Sequence, residues 1–140
     1  FAGQKEMGRD AFTAIPNGIP SVQERVDLIH TYGVCKGQID LKTMVDSCST
    51  QAAKIFGMYP RKGDIAIGSD ADLVVYDPDF KGTFTVADGL SKVDYCGFEG
   101  MERCGRAEVV TLRGQVVAKR GKYVGEAAIG QYIDRAFIGH

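Results

Sequence analysis

The segment ADLVVYD, residues 71–77, is a nearly continuous apolar run that the pair Asp77-Pro78 closes. A run without polar alternation predicts a strand that is buried on both faces. A strand of this kind needs a partner layer of protein to cover it. The segment therefore predicts that the chain contributes part of a sheet to a larger packed structure.

Further strand signals lie on both sides of this run. Residues 65–67 alternate over a short stretch, and GTFTV, residues 82–86, is rich in β-branched and aromatic side chains. EVVTLRGQVVAKRGKYV, residues 108–124, predicts three strands with turns at Arg113-Gly114 and Arg120-Gly121. The second half of the chain is thus predicted to contain about five short strands.

The residues before the strands predict a loop followed by helices. Ser21 and Glu24 have the spacing of a capping box, which predicts a first helix that ends near Gly33. A second helix is predicted to begin at Asp40, with apolar residues on one of its faces.

A third helix is predicted to begin at Ser49 or Thr50 and to end near Gly57. Helices followed by strands are an unusual order for a self-contained domain. The chain also begins with Phe1 and carries no signal-peptide pattern, so we expect it to be a piece of a longer protein.

Composition and charge argue against a nucleic-acid-binding protein, a membrane protein and a structural zinc site. The net charge is −1 and the isoelectric point about 6.1, which predicts no nucleic-acid partner and no anionic membrane. No apolar run approaches the roughly 20 residues of a membrane span. The four cysteines contain no C-x-x-C pair, so we expect reduced thiols in a cytoplasmic protein rather than a structural zinc site.

The common catalytic patterns are absent from this sequence. It contains no H-x-H, H-E-x-x-H, P-loop or G-x-S-x-G pattern. His30 lies in the first predicted helix and is interpreted as a structural residue. Asp70 is interpreted as a turn residue whose side chain binds backbone N–H groups, in preference to a metal ligand. The basic pair Arg61-Lys62 is interpreted as a solvated turn.

The segment IPNGIP, residues 15–20, places the only asparagine of the chain between two prolines. One interpretation is an ordinary turn that leads into a helix, with Asn17-Gly18 suited to positive φ. The other is a rigid turn that presents backbone N–H and C=O groups to a ligand which is itself an amide or imide. Gly18 would permit the close approach that this second role requires. The residue types alone leave both interpretations open.

Several motifs resemble those of dihydropyrimidinases and bacterial hydantoinases, which are cyclic amidohydrolases. FTAIPNGIPSVQER, residues 12–25, is similar to the end of their catalytic barrel. STQAAKIFGMYPRKGDIAIGSDADLVVYDP, residues 49–78, is similar to the passage from the barrel to a small β-sandwich. YCGFEGMERCGRAEVVTLRGQVVAKRGKYVG, residues 95–125, and GQYIDRAF, residues 130–137, resemble the close of the same proteins. The resemblance covers nearly the whole chain in the right order.

The resemblance implies an α/β fold class: the C-terminal end of a TIM-type (β/α)8 barrel followed by part of a small β-sandwich domain. Residues 1–60 would supply the last loop and helices of the barrel, residues 61–125 the sandwich strands, and residues 126–140 a C-terminal tail. The tail carries three apolar side chains, those of Tyr132, Ile133 and Phe137. In oligomeric relatives such a tail reaches a neighbouring subunit, so we expect a homotetramer; packing of the tail on its own domain is the open alternative.

The resemblance also implies a metal-dependent reaction. Two zinc-type divalent ions, bridged by a carboxylated lysine, would lower the pKa of a bound water and polarise the substrate carbonyl. The ring amide of a dihydropyrimidine or a 5-substituted hydantoin would be hydrolysed to an N-carbamoyl amino acid. None of Lys5, Asp10 or His30 matches a metal position of the family, so we expect no metal ligand and no catalytic residue here. The rest of the same polypeptide would supply them, and the segment alone would be inactive.

The one substrate contact that the resemblance carries over is the backbone of Asn17, with Gly18 shaping the turn. Two related alternatives stay open, which are a non-catalytic dihydropyrimidinase-like scaffold protein and an allantoinase. A third is a free-standing β-rich binding module. Such a module would fold cooperatively as a monomer, whereas a segment of a hydrolase would be sticky and poorly folded.

Overall fold

The computed structural model describes residues 1–127 and 129–135 of the chain. Its α-helices are short and come first: α1 (Ala2–Lys5), α2 (Arg25–Leu28), α3 (Leu41–Val45) and α4 (Gln51–Ile55). Its strands follow: β1 (Val74–Thr83), β2 (Glu102–Leu112), β3 (Gln115–Lys119) and β4 (Lys122–Tyr123). This order of helices and strands is the predicted one. Within these residues, no helix has the length and apolarity that crossing a membrane requires.

The first long helical segment is α2 together with wider π-type turns that continue it as far as Val34. The predicted cap at Ser21 is wrong, because α2 begins later and receives no side-chain cap. Gln23, inside the predicted box, binds a distant segment instead. Its side chain donates to Asp88 O at 3.0 Å and accepts from Leu90 N at 2.8 Å. This tertiary contact holds the entry to the helix in place of a local cap.

The second and third predicted helices form one continuous run, because π-type turns join α3 to α4. The start is as predicted, since Asp40 Oδ1 accepts a hydrogen bond from Thr43 N at 2.7 Å. The predicted new start at Ser49 or Thr50 is wrong. Thr50 Oγ1 donates to Gly63 O at 2.7 Å, so its hydroxyl ties the helix to a neighbouring loop and caps nothing.

The sheet is an antiparallel meander in the order β1-β2-β3-β4. The two predicted turns are confirmed: Arg113 and Gly114 have φ of 47° and 80°, and Arg120 and Gly121 have φ of 48° and 74°. Two successive positive φ values match the type I′ turn, whose twist suits a two-residue hairpin. β2 begins at Glu102, well before the strand that the sequence indicates, and so reaches the helical segment.

β1 differs from its prediction in length and in burial. It continues past Pro78, through a bulge before Lys81, and takes in the first residues of the next predicted strand. It also lies at the edge of the sheet, and Val74 and Val75 are more than half exposed. The prediction that this run is buried on both faces is therefore wrong for the described chain, because no second layer covers it.

Buried side chains concentrate where the first helical segment meets the sheet, a region that we call the seam. The seam contains five buried residues: Asp27, His30, Thr31, Phe84 and Cys104. Three of them are polar, so hydrogen bonds carry much of this contact.

Much of the remaining apolar surface is open. The short strand predicted at residues 65–67 is wrong, because this stretch forms a turn and Ile65 is 86% exposed. Phe12 and Val22 are also largely exposed. In the tail, Tyr132 is 85% exposed, and Phe137 lies outside the described residues. A surface of this kind fits a segment that packs against further protein.

The isolated 140-residue chain should bind an apolar dye and self-associate, because exposed aliphatic and aromatic area is covered most readily by a second copy. We expect anilinonaphthalene sulfonate to brighten on binding and the sedimentation mass to rise with concentration. The double variant Ile65→Ser with Ile67→Ser should weaken both signals, and Lys42→Ser in α3 is the matched exposed control. A monodisperse chain that melts in one cooperative transition would contradict this expectation.

Candidate functional site

The IPNGIP loop, residues 15–20, is shaped by a lysine. Ile15 is extended, with φ −71° and ψ 121°, as expected for a residue before proline. Gly18 has a φ of 79°, in the left-handed region that glycine adopts without strain. Lys5 Nζ donates to the carbonyl oxygens of Pro16 and Gly18, the second at 2.6 Å. One ammonium group therefore draws two loop carbonyls to the same side.

Packing fixes both ends of the same loop. Gly8 lies so close to Ile15 that a Cβ atom at Gly8 would be 1.8 Å from Ile15 Cγ1. At the other end, Ile19 packs beside Gly97, where a Cβ atom would lie 3.5 Å from Ile19 Cδ1. The loop is thus held at its start and its end, while Asn17 between them is exposed.

The backbone of Asn17 is unoccupied by intramolecular partners. Within residues 1–127 and 129–135, no hydrogen bond uses its N–H or its C=O, whereas Lys5 takes the carbonyls of Pro16 and Gly18. An N–H donor and a C=O acceptor on one residue match the C=O and N–H of a ring amide. The arrangement can therefore bind an amide or imide through the main chain.

Lys62 does not lie in a solvated turn, as the sequence was interpreted, but between two carboxylates. Its Nζ is 2.8 Å from Asp70 Oδ2 and also binds Asp72 Oδ2, and its side chain is 17% exposed. Arg61 Nε binds the same oxygen of Asp70 at 3.0 Å. Asp72 Oδ1 accepts from Arg113 N at 2.7 Å, in the turn between β2 and β3. The prediction that the side chain of Asp70 binds backbone N–H groups is wrong, because its partners are the side chains of Lys62 and Arg61.

The charges of this ion-pair cluster reinforce one another. The hydrogen bond from Lys62, assisted by the bond from Arg61, lowers the pKa of Asp70. Burial alone would lower the pKa of Lys62, but its bonds to Asp70 and Asp72 together raise it. Both shifts favour the charged forms in the folded state, so the cluster stabilises the loop against the sheet at neutral pH.

Polar groups also hold the seam together. Asp27 Oδ1 accepts from Tyr76 OH at 2.9 Å, and Asp27 Oδ2 lies 2.6 Å from Arg103 Nη2. Burial, and then the charge of Asp27, raises the pKa of Tyr76, so the phenol remains a hydrogen-bond donor. The guanidinium of Arg103 lies over the ring of Phe80, 5.5 Å from its centroid. This network joins helix to sheet and has a structural role.

His30 is buried in the seam, as its structural interpretation expects. Its Nδ1 lies 2.8 Å from Cys104 O, and because a carbonyl only accepts, Nδ1 carries the proton. His30 and the sulfurs of Cys35 and Cys104 form the one group of three potential metal ligands in the described part of the chain. Sequence reasoning missed this cluster, since 69 positions separate the two cysteines.

Comparison with known proteins accounts for most of the chain. The family profile described as "Amidohydrolase family" matches residues 9–117. The chain belongs to the amidohydrolase family. Among the relatives of this amidohydrolase, the D-hydantoinase of Geobacillus stearothermophilus is 45% identical over 139 residues, which are 99% of this chain and 30% of that protein.

Solved structures of amidohydrolases share this fold. The D-hydantoinase (dihydropyrimidinase) from Thermus sp. is 54% identical, with a TM-score of 0.90 over 95% of this chain and 29% of that one. The dihydropyrimidinase from Brevibacillus agri is 45% identical, with a TM-score of 0.93 over 100% of this chain and 30% of that one. The resemblance to dihydropyrimidinases and hydantoinases is confirmed, and the chain spans about 30% of the length of these relatives.

Replacement of Lys62 should lower the stability of the amidohydrolase and reduce the loss of that stability as the pH falls. Because the folded pKa of Asp70 is lowered, its stabilising contribution is present above the unfolded pKa and is lost as the pH falls through the folded value. In the full-length protein, we expect Lys62→Met to lower the urea midpoint at about pH 7, and the difference from wild type to narrow towards about pH 3.

The matched control for this experiment is Lys42→Met, which removes an exposed lysine from α3. It should leave both the midpoint and its pH dependence close to those of the wild type. Parallel pH profiles for wild type and Lys62→Met would show that the ion-pair cluster does not act as described.

Proposed function

We propose that this chain is the C-terminal part of a metal-dependent cyclic amidohydrolase. Its full-length parent would hydrolyse the ring amide of dihydropyrimidines or 5-substituted hydantoins to N-carbamoyl amino acids. The observation that carries this proposal is the similarity to D-hydantoinase and dihydropyrimidinase over 95–100% of the chain at 45–54% identity. Identity of this order, spread over the whole chain, favours a shared reaction as well as a shared fold.

The proposed division of the chain follows from this parentage. Residues 1–60 would form the last loop and helices of a TIM-type barrel, residues 61–125 the strands of a small β-sandwich, and residues 126–140 the tail. A barrel of this type needs about 250 residues, so most of it would lie in the part of the relatives that this chain does not span. The exposed valines of β1 support the division, because a second sandwich layer would cover them.

The substrate ring would bind to the backbone of Asn17. Its N–H would donate to a ring carbonyl, and its C=O would accept from the adjoining ring N–H. Lys5 occupies the carbonyls of Pro16 and Gly18, so the carbonyl of Asn17 is the one among these three residues that remains to accept. Because of Lys5, the ring would have one position on the loop, opposite Asn17.

Gly18 would admit the ring to this position. Apart from its two chain neighbours, no described residue has an atom within 4 Å of the place that a Cβ atom of Gly18 would take, so this side of the loop is open. A side chain here would both narrow that opening and strain a backbone whose φ is 79°. The turn and the substrate cradle are then two aspects of the same geometry.

The family resemblance implies two zinc-type divalent ions bridged by a carboxylated lysine, and the described residues do not fit such a centre. Lys5 acts as an ammonium donor to two carbonyls, and His30 Nδ1 carries a proton. Asp70 is bound by Lys62 and by Arg61. We infer that the rest of the polypeptide supplies the ligands, that this segment alone is inactive, and that its own part is to orient the ring.

The parent is also proposed to be a cytoplasmic homotetramer in which the tail contacts a neighbouring subunit. The guanidinium of Arg113 donates to Ile129 O, which anchors the base of the tail to the sheet. Beyond this anchor, Tyr132 is 85% exposed. An anchored base followed by an exposed aromatic side chain suits a contact with a second subunit.

Hydrolysis by the full-length parent tests the proposed reaction. We expect turnover of dihydrouracil or phenylhydantoin, loss of turnover on chelation, recovery with Zn²⁺, and no turnover by the isolated segment. Turnover of allantoin alone would favour an allantoinase. A folded parent that holds no metal and hydrolyses none of the three would be the non-catalytic scaffold protein.

Substitutions in the loop test the contact with the Asn17 backbone. Asn17→Ala keeps both main-chain groups and should change kcat/KM by less than about threefold, which is under 1 kcal/mol. Gly18→Val forces a β-branched residue into the left-handed region, which costs on the order of 1–2 kcal/mol. We therefore expect a loss of about 5- to 30-fold in kcat/KM.

Gly18→Asn is the matched control, because asparagine tolerates the left-handed region better than valine does. It should retain more activity than Gly18→Val. If Asn17→Ala lost as much activity as Gly18→Val, the ring would be bound by the side chain of Asn17 and the backbone contact would be refuted.

A further inference from the structure

We propose that Cys35 and Cys104 are a redox-sensitive thiol pair that closes reversibly into a disulfide between the helical half of the chain and the sheet. Their Sγ atoms lie 2.9 Å apart. A formed disulfide has a sulfur–sulfur distance of roughly 2.05 Å, so a small movement joins them. The pair takes no part in the proposed substrate contact, and this inference stands independently of the hydrolase activity.

His30 positions both cysteines. Its Nδ1 donates to Cys104 O at 2.8 Å, and its own carbonyl accepts from Cys35 N at 2.8 Å. Thr31 completes the arrangement on the strand side, where its Oγ1 accepts from Cys104 N at 2.9 Å. Buried hydrogen bonds to the main chain of both cysteines therefore hold the two sulfurs close together.

Lys81 supplies the positive charge that a reactive thiol pair requires. It lies opposite Cys104 in the pairing of β1 with β2, and its Nζ is 2.7 Å from Cys104 Sγ. The hydrogen bonds from Cys35 and from Lys81 lower the pKa of the Cys104 thiol, and the bond to Cys104 raises that of Cys35. Cys104 is thus the sulfur held closest to its nucleophilic thiolate form.

The oxidant would be a small disulfide, such as oxidised glutathione. The exposure of Cys35 decides which sulfur reacts with it first. Cys35 is exposed, and its sulfur attacks the reagent while its proton passes to Cys104, so a mixed disulfide forms and one reagent thiolate leaves. Cys104 then loses that proton to solvent and attacks Cys35 Sγ, which expels the second reagent thiolate. Starting from the Cys104 thiolate, the pair gives up two electrons and one proton, and the reagent becomes two thiolates that take up protons from solvent.

A metal site is the competing use of the same residues. A ring nitrogen of His30 and the two sulfurs lie within 4.8 Å of one another, and the Nδ1 of this ring is bound to the carbonyl of Cys104. Two sulfurs and one imidazole nitrogen are three ligands, one fewer than the four of a structural Zn²⁺ site. The structure therefore favours sulfur–sulfur bonding over metal binding at this place.

Peptide mapping of the folded full-length protein tests the pair. In a Cys48→Ser, Cys96→Ser background, treatment with oxidised glutathione should abolish both remaining thiols of this segment and yield one tryptic species joining VDLIHTYGVCK, residues 26–36, to CGR, residues 104–106. Dithiothreitol should restore both thiols. The oxidised protein should unfold at higher urea than the reduced protein, because the bridge closes a loop of 69 positions.

Two variants separate the roles of the residues. Cys35→Ser should leave a single thiol on Cys104 and no linked peptide. Lys81→Met should slow bridge formation by roughly three- to tenfold at neutral pH, since fewer Cys104 thiols are ionised, and the rates should converge at alkaline pH. If Lys81→Met left the rate of disulfide formation unchanged at every pH, Lys81 would not activate the Cys104 thiol.

Other outcomes would overturn the pair itself. One such outcome is that both thiols still react with an alkylating agent after oxidation. Another is that each thiol carries its own glutathione and no disulfide joins Cys35 to Cys104. One equivalent of Zn²⁺ alone should leave both thiols reactive towards iodoacetamide; protection of both would identify a metal site instead.

Discussion

The contact between the first helical segment and β2 is the constraint on which the rest of the structure depends. Thr31 is fully buried there, and its single hydroxyl donates to Asp27 O at 2.6 Å while it accepts from Cys104 N at 2.9 Å. The backbones can approach this closely because residue 105 is glycine. A Cβ atom at Gly105 would lie 2.6 Å from Tyr76 Cε1 and 2.7 Å from His30 Nδ1. The helix, the strand and the two cysteines all take their positions from this point.

Features that depend on neighbouring residues alone could be predicted from the sequence. The turns at Arg113-Gly114 and Arg120-Gly121 and the cap at Asp40 follow from local backbone chemistry, and the structure contains them. Features decided by distant partners could not be predicted. Ser21 and Thr50 have the residue types of helix starts. The chain near Ser21 is instead held by Gln23, which binds residues 88 and 90, and Thr50 binds the loop at Gly63. Local propensity is a weak guide wherever a tertiary hydrogen bond competes with it.

The same distinction applies to the candidate site. The residue types around Asn17 indicated a turn, and family resemblance, rather than periodicity, suggested the role of its backbone. Nothing in the spacing indicated that Lys5 would occupy the carbonyls on both sides of Asn17. The side chain of a lysine is long and flexible, so its partner cannot be predicted from sequence spacing. This is true of Lys5, Lys62 and Lys81. The partners of all three lysines are set by the tertiary fold.

The edge position of β1 has a consequence for how further strands can join this sheet. An open strand edge is a template for any extended segment that reaches it. In β1 the half after Pro78 is a poor template, because proline offers no N–H, a bulge interrupts the ladder before Lys81, and a lysine charge lies there. The half from Val74 to Asp77 has neither a proline nor a lysine, although its ladder is also irregular between Val75 and Tyr76. Sheet extension by a neighbouring segment is therefore favoured at residues 74–77 over the half after Pro78, which limits uncontrolled polymerisation.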